Sequence, residues 1–481
     1  MSQNKLAKDL EQSSFSINLE PFAPTLDPLI EECLEETKKD RFRKGTFLIP
    51  KVLVWFVLSM TIRRDLCYNK VLDWMISKWR WITLELPIKL LQDGVISHAR
   101  VKLGVKVFAL LFQKLASLFN AVEPDFHGFV TFIFDGVTMS MPDTSSNREH
   151  FGKHRSSRGQ SGFPMMRVVA LMMRAGRLII DIAFAPIVGK DTGERTLMIK
   201  ILQRVKLENA LFLFDAGFYS FILLYNLSLL KHHFIMKVSL KVRITPLPHG
   251  RLSDGSYLAL IQGKIEDPTR SQEKRKAYCH LAFIVRVIDV QIPGFRPFRL
   301  ITNILDHNIS AKELVQHYHK RWDIEIGYDE IKTHQCATLR GQAPTILRSK
   351  RADLVERELY ALLTTYNLTR WLMFQAAKEH GVDPLKISFL DALQRIVEAV
   401  EQIDYSNTQR NSEQHEYLHD LIASSLIDRP RRQRTNPRVI KVKSSKFKVK
   451  RKCHRSQTID YEKEVQILAP KNVKLINLKV A

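Results

Sequence analysis

The chain has 481 residues, 45% hydrophobic and 26% charged, enough apolar material for sizeable cores in about three domains. Its 74 Lys and Arg against 50 Asp and Glu leave a net charge of +24, which favours a polyanionic partner, nucleic acid before a membrane surface. The longest apolar run, Val52–Met60, has nine residues where a spanning helix needs about 20, the N-terminus shows no apolar signal region, and Cys33, Cys67, Cys279, Cys336 and Cys453 lack CxxC spacing. The expectation is a cytoplasmic, nucleoid-associated, DNA-directed protein without membrane contact, disulfide framework or zinc site.

Residues 1 to about 120 read as helical. FLIPKVLVWFVLSMTI, NKVLDWMISKW and HARVKLGVKVFALLFQKLASLF carry helical-period apolar positions with basic residues between them. Arg63, Arg64, Arg100, Lys102 and Lys106 suit either a DNA grip or the solvated basic face of a packing domain. From about 126 the texture changes. GFVTFIFDG is an apolar, β-branched run ending in Asp135-Gly136, the pattern of a strand buried on both faces. MMRVVALMMRAGRLIIDIAFAP predicts two strands joined at Arg174-Ala175-Gly176. GERTLMIKILQRV has helical spacing, ALFLFDAGF is a short strand ending in Asp215, FILLYNLSLLKH is a helix and FIMKVSL a strand. The order β-β-β-α-β-α-β defines a mixed α/β core. Residues from about 240 to 300 read as a small β-rich insertion, with turn-rich PLPHG, SDG and EDPTR and strand-like AYCHLAFIVRVIDVQI and FRPFRLITNI. Helical signals return at Ser310 and continue through ADLVERELYALLTTYNLTRWLMFQAAKEHG and SFLDALQRIVEAVEQI. Residues 429–455 hold thirteen Lys or Arg and no acid, interleaved with apolar residues. That tail reads as an arm lying on phosphates or as a solvated run.

Chemistry concentrates in three acids. Asp135 and Asp215 are each expected at the end of a buried strand, beside a glycine, where open α/β sheets bind ligands. A carboxylate held there is costly unless a cation or hydrogen bonds compensate. Singly, each also reads as a turn or cap residue. In YHKRWDIEIGYDEIK (318–332), Tyr318, Arg321, Glu325 and Lys332 fall at intervals of three, four and seven. At about 100° per residue they share roughly a 60° arc of an α-helix. Glu325 would be the third acid of an all-oxygen site that suits two Mg²⁺ ions. Arg321 and Lys332 suit phosphate, Tyr318 a phosphate or a base, and Trp322 a displaced base. A salt-bridged surface helix with an Arg321–Glu325 pair is the alternative.

These residues resemble the transposases of the insertion sequence 4 family. Tyr-x₂-Arg-x₃-Glu-x₆-Lys matches that family's YREK signature at all four positions, FIFDGVTMSMPDT resembles its first-aspartate block and LFLFDAGFYS its second. The stretch from IPGFRPFRLITNI through YDEIKT and RSKRADLVERELYALLTTYNLTRWLM resembles the region around and after its catalytic glutamate. The resemblance implies a helical N-terminal DNA-binding domain at 1–122, a ribonuclease-H-like catalytic core at 123–240 and 306–405, a β-rich insertion at 241–305 and a C-terminal helical and basic region at 406–481. It implies Asp135, Asp215 and Glu325 as catalytic metal ligands for Mg²⁺, with Mn²⁺ as substitute, and Tyr318, Arg321 and Lys332 as DNA contacts. It also implies cleavage at element ends, joining to target DNA and a synaptic homodimer. A departure is Asp-Ala-Gly in the second block where many relatives have Asp-Arg-Gly, which puts a DNA contact in doubt and keeps the carboxylate. A catalytically silent DNA-binding protein and a host nuclease on the same fold are the other classes.

Overall fold

The computed structural model describes residues 20–41, 48–83, 91–121, 123–156, 159–266, 278–293, 296–338, 341–342, 345–402, 408–427, 434–435, 459–470 and 473–474. The basic arm expected at 429–455 therefore lies outside the described residues, apart from Arg434 and Thr435. The chain forms two compact units. One comprises residues 1–123, 135–205 and 324–428, the other 124–134, 206–323 and 429–481.

The first unit carries the N-terminal helices α1 (Ala23–Glu36), α2 (Pro50–Ile62), α3 (Tyr68–Thr83), α4 (Asp93–Leu103) and α5 (Val105–Ser117). Pro50 opens α2 after the extended Ile49, the position where a missing N–H costs least. α2 is apolar on every side and buried except at Lys51, as a helix enclosed by others must be. That is why VLVWFVLSM is core; no helix among the described residues is long and apolar enough to cross a membrane. The single helix suggested by HARVKLGVKVFALLFQ is two, broken at Gly104, whose φ of 80° an L side chain rarely adopts. α11 (Ala352–His380) is the long central helix of this unit, packed against α2 and α5. Thr61 of α2 and Thr365 of α11 share a buried hydroxyl hydrogen bond of 2.8 Å.

The same unit contains most of strand β1 (Val130–Ser140) and the antiparallel pair β2 (Met165–Met173) and β3 (Leu178–Pro186). Their turn falls at residues 174–177, as expected, although Arg177 rather than Gly176 takes the positive φ of 52°. α6 (Ser145–Phe151), capped by the Thr144 side chain, lies between β1 and β2 in sequence, and α7 (Glu194–Leu202) follows β3.

The second unit begins with the first residues of β1, which pair in parallel with β4 (Ala210–Phe214). β4 pairs in parallel with β5 (His233–Val238) across helix α8 (Phe221–Leu229). In chain order the strands run 3-2-1 in the first unit and 1-4-5 in the second, with β1 common to both. This is a mixed sheet, as the resemblance implies.

The β-rich segment proves to be an extension of that sheet rather than a module apart. β9 (Phe298–Thr302) pairs antiparallel with β5, and β8 (Tyr278–Gln291), β7 (Tyr257–Glu266) and β6 (Ile244–Arg251) follow outward. β6 contains the PLPHG stretch expected to be turn, and it is the last strand of the sheet. An edge position tolerates Pro246 and Pro248 because half its N–H groups need no ladder partner. α9 (Ala311–His319) starts in a capping box. The Ser310 hydroxyl accepts from the Glu313 N–H at 3.2 Å, and the Glu313 carboxylate accepts from the Ser310 N–H at 2.9 Å.

Candidate active site

β1 and β4 are built to hold their ends rigid. Every residue of β4 is buried, Val130 lies opposite Ala210 and Ile133 opposite Leu213. Phe134 and Phe214 stack with ring centroids 5.6 Å apart and planes 4° from parallel. Each aspartate stands two residues beyond the last of these register pairs. Asp215 leaves β4 in extended conformation and opens a 3₁₀ turn, Ala216–Phe218, with the Phe218 N–H donating to its carbonyl at 3.1 Å.

Asp135 departs from the expectation. β1 does not end there but runs on to Ser140, because Val137 and Met139 bury apolar side chains beyond it. Gly136 lies within β1 rather than at a turn, beside the flexible end of the Glu194 side chain. Asp135 and Asp215 are both half-buried.

Glu325 lies on α10 (Asp323–Asp329) and is exposed. The α10 helix sits tightly on β2, because Gly327 leaves room where a Cβ would meet Met172 Cε at 2.4 Å and Tyr366 Oη at 3.0 Å. One residue later, the buried Tyr328 hydroxyl donates to the carbonyl of Asp135 at 2.7 Å. Burial and then the Asp135 charge push the Tyr328 pKa well above its ordinary value, so the phenol stays a donor. Within the first unit, the helix bearing Glu325 is thus fastened to the backbone of Asp135.

In the second unit, Tyr318 is 7% exposed and its hydroxyl donates to the Phe214 carbonyl at 3.1 Å. This differs from the phosphate or base contact expected of it. Arg321 is also buried, with its guanidinium carbon 4.9 Å from the Trp322 ring centroid, and Trp322 is 39% exposed.

The four signature residues do not ride a uniform α-helix. Residues 320–322 form a 3₁₀ turn and Glu330–Gln335 a π-helical turn, so the constant 100° step fails on both sides of Glu325. The π turn has an identifiable anchor. Glu330, 6% exposed, accepts from Arg177 at 3.2 Å, from Tyr366 at 3.2 Å and from Arg370 Nε at 2.9 Å. At its end the Gln335 amide donates to Thr365 at 2.7 Å and to the Leu362 carbonyl at 3.1 Å. Lys332 sits half-buried inside this turn. Nothing in the local sequence distinguishes Glu330 from a surface acid, because its partners are in β2–β3 and α11.

Several N-terminal basic residues are also internal. Arg64 is paired with the fully buried Glu358 at 2.9 Å, and Arg100 is fully buried, donating to Ser349 at 3.2 Å. Arg63 pairs with Asp65 and Glu401. Arg64 and Arg100 are thus held inside the fold, while Arg63 is half-buried. Lys102 and Lys106 are exposed.

The three acids offer hard carboxylate oxygens, the donor type that suits a small divalent cation. Among the described residues no three His, Cys, Asp or Glu side chains are gathered into one metal-binding group. Mg²⁺ sites in phosphoryl transfer commonly take one or two carboxylates and complete their shell with water and substrate phosphate, so the donor chemistry fits.

Residues 127–368, spanning all three acids, match the family profile described as a transposase DDE domain. The chain belongs to the DDE transposase family, which uses divalent metal. Residues 17–113 match the family model described as insertion element 4 transposase N-terminal. It is similar to the Escherichia coli K12 transposase InsG for insertion sequence element IS4, 28% identical over 434 residues, covering 88% of this chain and 92% of that one. It is also similar to the putative transposase InsZ of the same organism, 30% identical over 148 residues, covering 30% of this chain and 48% of that one. A cryo-electron-microscopy structure of a piggyBac transposase synaptic complex with hairpin DNA aligns over 90% of this chain and 87% of that chain, at 10% identity and a TM-score of 0.43.

Proposed function

We propose that this transposase binds the terminal inverted repeats of an insertion sequence, cleaves at the element ends and transfers the 3′-hydroxyl strands into target DNA. The reading is carried by Asp135 and Asp215, each two residues past the register pair Ile133–Leu213 on neighbouring parallel strands, inside the stretch that matches the DDE domain.

Asp135, Asp215 and Glu325 are the acids that would hold two Mg²⁺ ions, with Mn²⁺ as a substitute. When bound, such ions lower the pKa of an attacking oxygen and stabilise the leaving one in an in-line phosphoryl displacement. In the first step water attacks the scissile phosphate, the phosphorus–oxygen bond to the 3′ side breaks, and the departing 3′ oxygen leaves as a hydroxyl. In the second, that hydroxyl attacks a target phosphodiester and releases a target 3′-hydroxyl. Lys332 holds a phosphate oxygen, and the exposed Trp322 ring, backed by the Arg321 guanidinium, stacks on a displaced base. The helices of residues 1–122 recognise the inverted repeats, with Lys102 and Lys106 on the accessible side. The basic segment 429–455 adds affinity that does not depend on sequence. Two copies pair the element's ends in a synaptic dimer.

The test is a pair of isosteric variants. Asp135→Asn and Glu325→Gln are expected to retain binding to element-end DNA and to lose strand cleavage. Cleavage by either variant at the wild-type rate would remove its acid from the set.

A further inference from the structure

Two buried tyrosine hydroxyls reach backbone carbonyls of the two strands that carry the aspartates. Tyr328 donates to the carbonyl of Asp135 at 2.7 Å. Tyr318 donates to the carbonyl of Phe214, the residue before Asp215, at 3.1 Å. Both rings are 7% exposed. The pairing of β1 with β4 ends at Ile133 and Leu213, so both carbonyls lie past this ladder, although Phe214 still pairs in register with Met236 of β5 and β1 itself runs on to Ser140.

The planes concerned are those that aim the acids. The Asp135 carbonyl belongs to the peptide unit that sets ψ of Asp135. The Phe214 carbonyl belongs to the peptide unit that sets φ of Asp215. A few degrees of rotation at either swings a carboxylate by a substantial fraction of an ångström, and metal sites tolerate little of that.

We infer that Tyr328 and Tyr318 are positioning residues that lock the peptide planes flanking Asp135 and Asp215 and so preset the two carboxylates for a divalent cation. The inference rests on the proposed role of those aspartates. It also gives the signature tyrosine a task within the protein.

The experiment uses full-length protein, element-end DNA and Mn²⁺ as the probe, in Tyr328→Phe and Tyr318→Phe. Mn²⁺ binding to the protein–DNA complex is read by electron paramagnetic resonance, independently of turnover, and cleavage is followed against Mn²⁺ concentration. Each variant is expected to bind end DNA like wild type and to raise the Mn²⁺ half-saturation about tenfold or more, as loss of an outer-sphere partner does. Cleavage should recover towards the wild-type rate at saturating Mn²⁺. Tyr257→Phe is the control for losing a buried phenol, since its hydroxyl bonds Asp289 at 3.3 Å within the β-rich extension. It should lower the melting point without moving Mn²⁺ half-saturation.

Wild-type Mn²⁺ half-saturation in the folded phenylalanine variants would overturn the inference. So would failure of both variants to fold, which would make the hydroxyls general structural supports; if only one folds, it decides the matter alone. Asp135→Asn in the same assay separates the two levels. Unchanged Mn²⁺ binding and cleavage in that variant would overturn the acid assignment itself. Loss there with no change in the tyrosine variants would overturn only the positioning role.

Discussion

Arg64→Met tests whether the N-terminal basic residues serve the fold or the DNA. The Arg64 side chain is 2% exposed and that of Glu358 is fully buried, with Nη1 and Oε1 2.9 Å apart. The same guanidinium donates to the Ile346 carbonyl at 2.5 Å. Glu358 also accepts from the Arg348 and Ser349 amides, both at 2.8 Å, and from the Ser349 hydroxyl at 2.5 Å. Methionine keeps the stem's volume and strands a buried carboxylate on neutral donors, at a cost of about 3–5 kcal/mol. Adding Glu358→Gln removes that charge and retains an acceptor for the amides. The double variant should therefore be more stable than Arg64→Met alone, with a coupling energy of about 0.5–3 kcal/mol. Urea unfolding measures the stability, and end-DNA binding across a salt series measures phosphate contact. A phosphate-bound arginine would reduce the slope of log K against log salt by about 0.9; a buried one leaves it unchanged. A wild-type unfolding midpoint combined with a reduced salt slope would refute the reasoning.

Two further perturbations follow from the packing. Gly327→Ala should be destabilising by about 1–3 kcal/mol, because overpacking against Met172 and Tyr366 outweighs the helix-propensity gain of up to about 1 kcal/mol; a rise in the thermal midpoint would contradict the close approach of α10. Asp254 tests pH dependence. Burial acts to raise its pKa, but Ser256, the Ala311 N–H and Arg286 overcome that and hold it below the usual carboxylate value. A depressed folded-state pKa contributes stability above the unfolded value of about 3.9 and loses it as pH falls through the folded value. Asp254→Asn should cost about 2 kcal/mol at neutral pH, and its deficit in thermal midpoint should shrink as the pH is lowered from 5 towards 2; a widening deficit would count against it.

Much of the catalytic core was legible because its signals are local. ALFLFDAGF has an apolar run, a carboxylate and a glycine within nine residues, and the chain does leave the sheet at Asp215. GFVTFIFDG looks the same, yet β1 continues because the residues after Gly136 find buried places beside β2. No property of Asp135-Gly136 itself decides between those outcomes. The helix of YHKRWDIEIGYDEIK was legible as a helix, but not its 3₁₀ and π turns. Those depend on Glu330 meeting Arg177 and Arg370, residues 153 and 40 positions away. Burial of Arg64 and Arg100 was hidden for the same reason, since basic residues at helical spacing look alike whether their partners are water, phosphate or an acid in α11. Edge strand β6 was masked by its two prolines, which argue against a strand only where both edges must pair.

One reaction tests the proposed activity most directly. Full-length protein is mixed with Mg²⁺, supercoiled DNA bearing the element's two ends, and a separate target DNA, and the products are resolved by strand. Cleavage is expected at both element ends and requires Asp135, Asp215 and Glu325, followed by covalent joining of the freed 3′-hydroxyls to the target. End binding with no cleavage, or cleavage that ignores the ends and never joins, would contradict it.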